Sequence, residues 1–332
     1  MKVFGFEKAL PTSEQDAFLE REEDRPVPAG HDILVEIKAV SVNPVDTKVR
    51  RGKADDGSFK VAGYDAAGIV AAVGPDVTLF EVGDEVWYAG DVTRPGSNAD
   101  FHLVDERIAA KKPVSMSFTE AAAMPLTILT AWEALYERLA ISRDAGANKG
   151  KKLLVINGAG GVGSVAIQLA KRAGVHVTAT ASREESRDWC LDLGADEVIP
   201  HQETETMDGD AFDWIFVCHN TDDYFDIAAR LVKPGGAMCM ITGAFKPHNI
   251  QPLMHKSARL VWEYMFTRST YHTDDMVVQH RILTEAAALV DAGELRGTLS
   301  KVLSPLGVET LREAHATLEA GGMIGKLVIE RG

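Results

Sequence analysis

The chain has 332 residues, too long for one ordinary core and suited to two domains. Its 49 acidic residues against 35 basic ones give a formal charge of −14, which argues against nucleic acid or an anionic membrane as the main partner. Cys190, Cys218 and Cys239 are an odd set without paired spacing, which suits a reducing compartment and no disulfide framework. The opening Met1-Lys2-Val3-Phe4-Gly5-Phe6 is too short and mixed for a signal peptide, and no apolar run reaches membrane-spanning length. A cytoplasmic enzyme is the expectation.

From Met1 to about Pro113 short β-branched runs are broken by Gly, Pro and Asp: Ile33 to Val42, Ala67 to Val73, Glu85 to Tyr88 and Asp100 to Val104. Turn signals this frequent predict an antiparallel, partly closed barrel. The charged Arg21-Glu22-Glu23-Asp24-Arg25-Pro26 reads as a solvated loop. Ser41-Val42-Asn43-Pro44-Val45-Asp46 ends a strand with a proline that cannot donate to a ladder, so Asn43 and Asp46 turn off the sheet at its rim.

Thr119 to Met124 reads as a short helix stopped by Pro125, and Thr127 to Leu139 as the helix entering the second domain. Lys152 to Asn157 is an apolar run suited to a strand buried on both faces, and it stops at Gly158-Ala159-Gly160-Gly161-Val162-Gly163. Ser164 to Arg172 then has helical apolar spacing, so G-x-G-x-x-G sits at a strand-to-helix turn. Gly158 would allow the tight turn, Gly160 the approach of a pyrophosphate, and Gly163 close helix–strand packing, with the helix N-terminus facing the phosphates. The order continues as strand Val175 to Thr180, helix Glu184 to Leu193, and strands Glu197 to Ile199 and Trp214 to Cys218. A helix around Phe225 to Leu231 and the strand Ala237 to Ile241 complete a doubly wound, mostly parallel α/β sheet.

An NAD site places Asp or Glu at the end of the second strand, where this chain has Thr180-Ala181-Ser182-Arg183. A hydroxyl and a guanidinium there suit a 2′-phosphate, which predicts NADPH. The alternative for Ser182 is an N-cap with Glu185 completing a capping box. Ala237 to Ile241, if left as an open edge, predicts a homodimer joined through this sheet; the alternative is that Arg259 to Phe266 covers it. The remainder reads as a helix from Met276 to Val290 capped by Thr273 or Asp274, strand Leu299 to Leu303, helix Val308 to Leu318 and strand Lys326 to Glu330. His272 and His280 fall at the ends of that first helix, which disfavours a metal site there.

Gly63-Tyr64-Asp65-Ala66-Ala67-Gly68-Ile69-Val70, Val82-Gly83-Asp84-Glu85-Val86, Pro125 to Trp132, Gly160 to Gly163 and Gly325-Lys326-Leu327-Val328 resemble, in order, the motifs of medium-chain dehydrogenase/reductases. The chain is most similar to their zinc-independent quinone oxidoreductase (ζ-crystallin) branch, and closer still to the zinc-type alcohol dehydrogenase-like group, which has a segment similar to Trp262 to Ser269. The resemblance implies a Rossmann domain, 127–266, inserted in a discontinuous GroES-like catalytic domain, 1–126 and 267–332, with the nicotinamide held in the cleft against Asn43 and Tyr64. It also implies Thr127 on the nicotinamide side, Cys218-His219-Asn220 in the loop beside a ribose, and Lys326 at the cleft. Zinc-dependent members carry Cys where this chain has Asn43 and Gly-His-Glu where it has Gly63-Tyr64-Asp65, together with a four-Cys lobe; here no Cys precedes Cys190. Neither zinc set is present.

The expectation is therefore a metal-free NADPH-dependent enzyme that passes hydride to a quinone or an α,β-unsaturated carbonyl, with Asn43 and Tyr64 as donors to the developing oxyanion. Asp46, ionised near neutrality, would orient Asn43 or a water. Tyr64 has a second reading as a barrel-core aromatic, and Asn43 and Asp46 as turn formers. Alcohol/aldehyde interconversion and a nucleotide-binding protein without turnover are the alternatives, distinguished by metal content and by whether any carbonyl is consumed.

Overall fold

The computed structural model of the chain describes residues 1–332, and it divides into two compact units, Met1–Leu126 with Phe266–Gly332, and Thr127–Met265. The first unit begins with β1 (Lys2–Phe6), β2 (Leu19–Glu22), β3 (Asp32–Val42), α1 (Pro44–Arg51), β4 (Lys60–Val61) and β5 (Asp65–Val73). It continues through β6 (Glu85–Tyr88), β7 (Phe101–Asp105), β8 (Ala109–Lys111) and α2 (Phe118–Ala122). β1 lies between β2 and β4 in a small antiparallel sheet. Pro44 ends β3 because it has no N–H for the ladder, and the same lack is harmless at the first position of α1, so Asn43 caps a helix and not a simple turn. α2 is closed by a capping box in which the Glu120 N–H donates to Ser117 Oγ and the Ser117 N–H to Glu120 Oε2.

α3 (Pro125–Trp132) starts on the proline expected to stop a helix, and runs into a π-helical stretch, Glu133–Arg138. The second unit then alternates β9 (Lys152–Ile156), α4 (Gly161–Arg172), β10 (His176–Thr180), α5 (Glu184–Asp192), β11 (Glu197–Ile199) and α6 (Glu203–Thr206). β12 (Phe212–Val217), α7 (Thr221–Leu231), β13 (Val232–Met240), α8 (Gln251–His255) and β14 (Arg259–Trp262) complete it. Every strand pair is parallel, in the order β11-β10-β9-β12-β13-β14. The strand order therefore reverses between β9 and β12, the place where doubly wound sheets bind their ligands. Leu153 to Ile156 are buried on both faces of the sheet, and Trp189 Nε1 donates to Ser164 Oγ at 2.8 Å, tying α5 to α4. β13 is not an edge: Ala237 to Met240 pair with Arg259 to Trp262, so β14 is the outermost strand.

The chain returns to the first unit through α9 (Thr267–Thr270), α10 (Val278–Asp291), β15 (Leu299–Leu303), α11 (Val308–Ala320) and β16 (Lys326–Glu330). Its main sheet has the order β15-β16-β3-β5-β6-β8, with β7 also on β3. β16 runs antiparallel to β3, with Leu327 opposite Val42, so this late strand is built into the sheet beside the rim residues. Ile33, Val35, Ile37, Val86, Leu327 and Ile329 share the core beneath. α10 begins later than expected: Thr273 Oγ1 donates to Asp275 Oδ1, and Arg268 holds the same carboxylate, so neither Thr273 nor Asp274 caps the helix. His280 Nδ1 is bonded to the Ala109 carbonyl at 2.7 Å, and His272 is exposed. No helix is long and apolar enough to cross a membrane.

Candidate functional site

In the second unit β9 is followed at once by Asn157, which takes the left-handed conformation, φ 64°. The tight turn thus falls on Asn157 and not on Gly158. Gly158 is needed for space, because a Cβ there would lie 2.8 Å from Ala179 Cβ and 3.0 Å from Cys190 Sγ. At Gly163 a Cβ would lie 2.4 Å from the Asn157 carbonyl oxygen, so α4 packs directly on the strand end. Gly160 caps α4 without any side-chain hydrogen bond, and the first amides of the helix, at Gly161, Val162 and Gly163, have no capping side chain. Amides so placed at a switch point, with the dipole behind them, fit a pyrophosphate.

Past β10 no acid stands at the ribose position. Ser182 is exposed and its Oγ accepts the His201 N–H at 3.2 Å. The helix cap is Arg183, whose N–H donates to Ser186 Oγ, so the capping box of Ser182 and Glu185, the alternative reading of Ser182, does not form. Thr180 Oγ1 accepts the Asn157 N–H at 2.9 Å and lies 2.9 Å from His201 Nδ1. Cys218 takes part through its backbone, its carbonyl accepting from Asn157 Nδ2 at 3.3 Å. Its thiol stays protonated because burial pushes its pKa well up. His219 is exposed and stands edge-on to Tyr224, ring centroids 5.8 Å apart. Thr127 is buried on α3.

In the first unit, the ends of β3, β5 and β16 bring Asn43, Asp65 and Lys326 together. Asn43 Nδ2 donates to Asp65 Oδ2 at 2.8 Å, and its Oδ1 accepts from Lys326 Nζ. Lys326 Nζ also reaches Asp65 Oδ2 and the Val42 carbonyl, each at 3.2 Å. Asp65 Oδ1 accepts the Leu126 N–H at 2.7 Å. The second Asn43 amide hydrogen has only a long contact, 3.4 Å, to the Ser41 carbonyl. Asp46, at the first turn of α1, accepts the backbone N–H of Asn43 at 2.7 Å and of Gly63 at 3.1 Å. It orients Asn43 through the main chain, not through the amide side chain. Tyr64 is fully buried with its ring edge-on to Phe266, centroids 5.3 Å apart.

These groups are all buried, and they comprise two carboxyls and one ammonium. Burial pushes Asp65 up, against Lys326 and Asn43, and pushes Lys326 down, against Asp65. Burial pushes Asp46 up to about 7 despite its two amide donors, so it is not fully ionised near neutrality as the sequence suggested. No group of three His, Cys, Asp or Glu that could hold a metal occurs. The donor chemistry at the rim does not fit zinc: Asn43 and Tyr64 are neutral, and the carboxylate of Asp65 already holds an ammonium.

Asp65, Thr180, His201 and Tyr224 were not singled out from sequence. The signal for Asp65 lay beside Tyr64 in the Gly63-Tyr64-Asp65 motif, and for His201 in being the first polar side chain past the strand Glu197–Ile199. The raised Asp46 pKa sets a sign for stability. Between about pH 4 and pH 7 the folded chain holds a proton that the unfolded chain has lost, so this group makes stability fall as pH rises through that window, by at most about 1.4 kcal/mol per pH unit. Asp46→Asn should flatten that part of the profile in urea unfolding measured from pH 4 to 8; an unchanged slope would mean Asp46 titrates normally.

The sequence matches the family described as Alcohol dehydrogenase GroES-like domain over residues 29–114, and Zinc-binding dehydrogenase over residues 193–329. It is 43% identical over 332 residues to a zinc-type alcohol dehydrogenase-like protein of Staphylococcus aureus strain COL, covering 99% of each chain. It is 32% identical over 310 residues, 90% of this chain and 71% of the relative, to a 2-methylene-furan-3-one reductase of Solanum lycopersicum. Among solved structures, a putative zinc-dependent alcohol dehydrogenase from Rhizobium etli CFN 42 superposes with a TM-score of 0.92 at 47% identity, covering 99% of this chain and 98% of that one. The parallel sheet with its glycine-rich turn, the antiparallel-rich GroES-like unit and these likenesses agree: the chain is an oxidoreductase that belongs to the medium-chain dehydrogenase/reductase superfamily, in its zinc-type alcohol dehydrogenase-like group.

Proposed function

We propose that this oxidoreductase uses NADPH, needs no metal, and passes hydride to the β-carbon of an α,β-unsaturated carbonyl or to a quinone. The observation that carries this reading is the rim network of the first unit. Where a zinc enzyme needs open ligands, this chain has hydrogen-bond donors and an ammonium already bound to a carboxylate. The tomato relative's name, which describes a methylene conjugated to a ring ketone, supports an enone acceptor. Ser182 and Arg183 in place of an acid support NADPH. Three buried free thiols suit the cytoplasm.

NADPH, when bound, supplies the hydride. The chain's own residues meet the charge that this pushes onto the acceptor oxygen. Tyr64 offers a phenol with a reference pKa near 10, and Asn43 offers the amide hydrogen left with only the long Ser41 contact. Asp65, Lys326 and Asp46 hold Asn43 in place. Proton uptake by the acceptor completes its reduction.

The test is NADPH oxidation across a panel of quinones and enones with a strong chelator present. Turnover of at least one class is expected; activity that tracks one tightly held zinc per chain would overturn the reading. Arg183→Ala should lower the NADPH-over-NADH preference at least tenfold, since a charge-assisted contact contributes about 1.5 to 3 kcal/mol. Equal affinity for both cofactors in the parent protein sinks that assignment.

Tyr64→Phe and Asn43→Ala should each lower kcat at least tenfold with NADPH affinity nearly unchanged, because an oxyanion donor contributes about 2.7 to 4 kcal/mol. If both variants and the double variant keep parental kcat, the donors lie elsewhere. We also propose a homodimer, now along β14: its ladder edge is open, and Trp262, 44% exposed, and Tyr264, 46% exposed, stand at its end. Light scattering at micromolar concentration should give twice the chain mass, and a monomer refutes the pairing.

A further inference from the structure

The C-terminal ends of β9, β10 and β11 are joined by one hydrogen-bonded chain. The Asn157 N–H donates to Thr180 Oγ1, and that oxygen lies 2.9 Å from His201 Nδ1. The amide fills one lone pair of the threonine hydroxyl. We assign the hydroxyl proton to Nδ1 of the neutral imidazole, which leaves the ring proton on Nε2. A second lone pair remains, so the same oxygen can accept from Nδ1 once the ring is protonated. His201 is half-buried, and Nε2 makes no hydrogen bond within the protein. Ser182 Oγ accepts the His201 N–H and keeps its own proton to give.

The ring is flanked by His219 after β12 and by Tyr224 on α7, which Asp223 and Glu205 act on in turn, while Glu203 opens α6 two residues along the chain and Arg183 follows β10. The Tyr224 hydroxyl is 3.4 Å from Nδ1, and no carboxylate pairs with the ring. Burial, and then His219, lower the His201 pKa, so the free protein holds the ring neutral near pH 7. Ser182 and Arg183 follow the end of β10, and the His201 main-chain N–H, bonded to Ser182 Oγ, ties the imidazole-bearing residue to the same strand end, so a phosphate monoester there would meet a hydroxyl, a guanidinium and an imidazole N–H.

We propose that His201 is a specificity-determining residue of the ribose 2′-phosphate subsite and binds that phosphate as an imidazolium, so that NADPH binding takes up a proton and NADH binding does not. The inference rests on reading Ser182 and Arg183 as 2′-phosphate ligands. A charge-assisted N–H bond is roughly twice as strong as a neutral one, and a dianion beside the ring favours its charged form. The phosphate itself, with a second pKa near 6, is already a dianion above pH 7. The complex then holds more protons than the free protein, and NADPH affinity falls as pH rises, by up to about tenfold per unit between the free and bound pKa values of the ring.

The experiment measures Kd for NADPH and NADH by nicotinamide fluorescence from pH 7 to 9 at constant ionic strength, with the full chain and with His201→Gln. Glutamine keeps an N–H donor but cannot ionise. For the parent protein, Kd for NADPH should rise at least fivefold across the window while Kd for NADH stays within twofold. His201→Gln should bind NADPH more weakly at pH 7, with no pH dependence, and bind NADH as the parent does, which also reports a folded site. Calorimetry of the parent in two buffers of different ionisation enthalpy should show proton uptake with NADPH alone, and this readout needs no variant. A preference for NADPH without pH dependence, or a slope that survives His201→Gln, overturns the proposal and leaves the cofactor reading standing. No preference for NADPH at any pH overturns both.

Discussion

The buried ion pair between Lys326 and Asp65 is the constraint around which the first unit's rim is arranged. Two charges taken out of water are tolerated only when their remaining donors and acceptors are met, and removing one partner of such a pair typically costs about 3 to 5 kcal/mol. Here the ammonium also reaches the Asn43 amide oxygen and the Val42 carbonyl, while the carboxylate accepts from Asn43 Nδ2 and from the Leu126 amide. Those partners come from the end of β3, the start of β5, the start of β16 and the start of α3. The pair therefore fixes four chain segments and the amide between them. Asp46 is left without a cation in direct contact, which is why burial dominates its ionisation.

The second unit depends on a different constraint, the lack of room at a strand end. Asn157 takes the left-handed turn, and its side chain and amide then hold the neighbouring strands through Cys218 and Thr180. Gly158 and Gly163 contribute by what they lack, since any Cβ would strike Ala179 or the Asn157 carbonyl. The result is a helix start whose amides have no side-chain cap, next to side chains that offer protons.

Strand and helix periodicity made most elements legible, since β6, β11, β15 and β16 fall where short apolar runs lie between turn residues. The short helix does end before Pro125, but the next one starts on that proline and not at Thr127, because a proline that cannot continue one helix fits the first turn of another. Arg259 to Phe266 was legible only as a candidate cover for Ala237 to Ile241; that its first four residues form β14 was not, because they are a short mixed run and strand pairing depends on a partner elsewhere in the chain. At the site, Asn43 was legible from its neighbours in sequence, whereas its commitment to Asp65 and Lys326 joins positions far apart in the chain. The ionisation of Asp46 was illegible for the same reason, as burial is a property of the packed fold.

The lysine and a zinc ion are not equivalent cations at such a rim. A catalytic metal keeps a coordination position open to its substrate, so its charge acts on the acceptor oxygen directly. The Lys326 ammonium has three hydrogens and three acceptors, Asn43 Oδ1, Asp65 Oδ2 and the Val42 carbonyl, so no N–H remains to give. Its charge is also nearly cancelled by the carboxylate it touches. What it can do is polarise the amide: an oxygen that accepts from an ammonium makes the attached N–H groups stronger donors. One of those goes to Asp65, and the other is held only by the long Ser41 contact. On the reading proposed here, replacing a metal with a lysine moves the work of meeting an oxyanion from the cation to the neutral donors that the cation orients, and Asn43 connects the two.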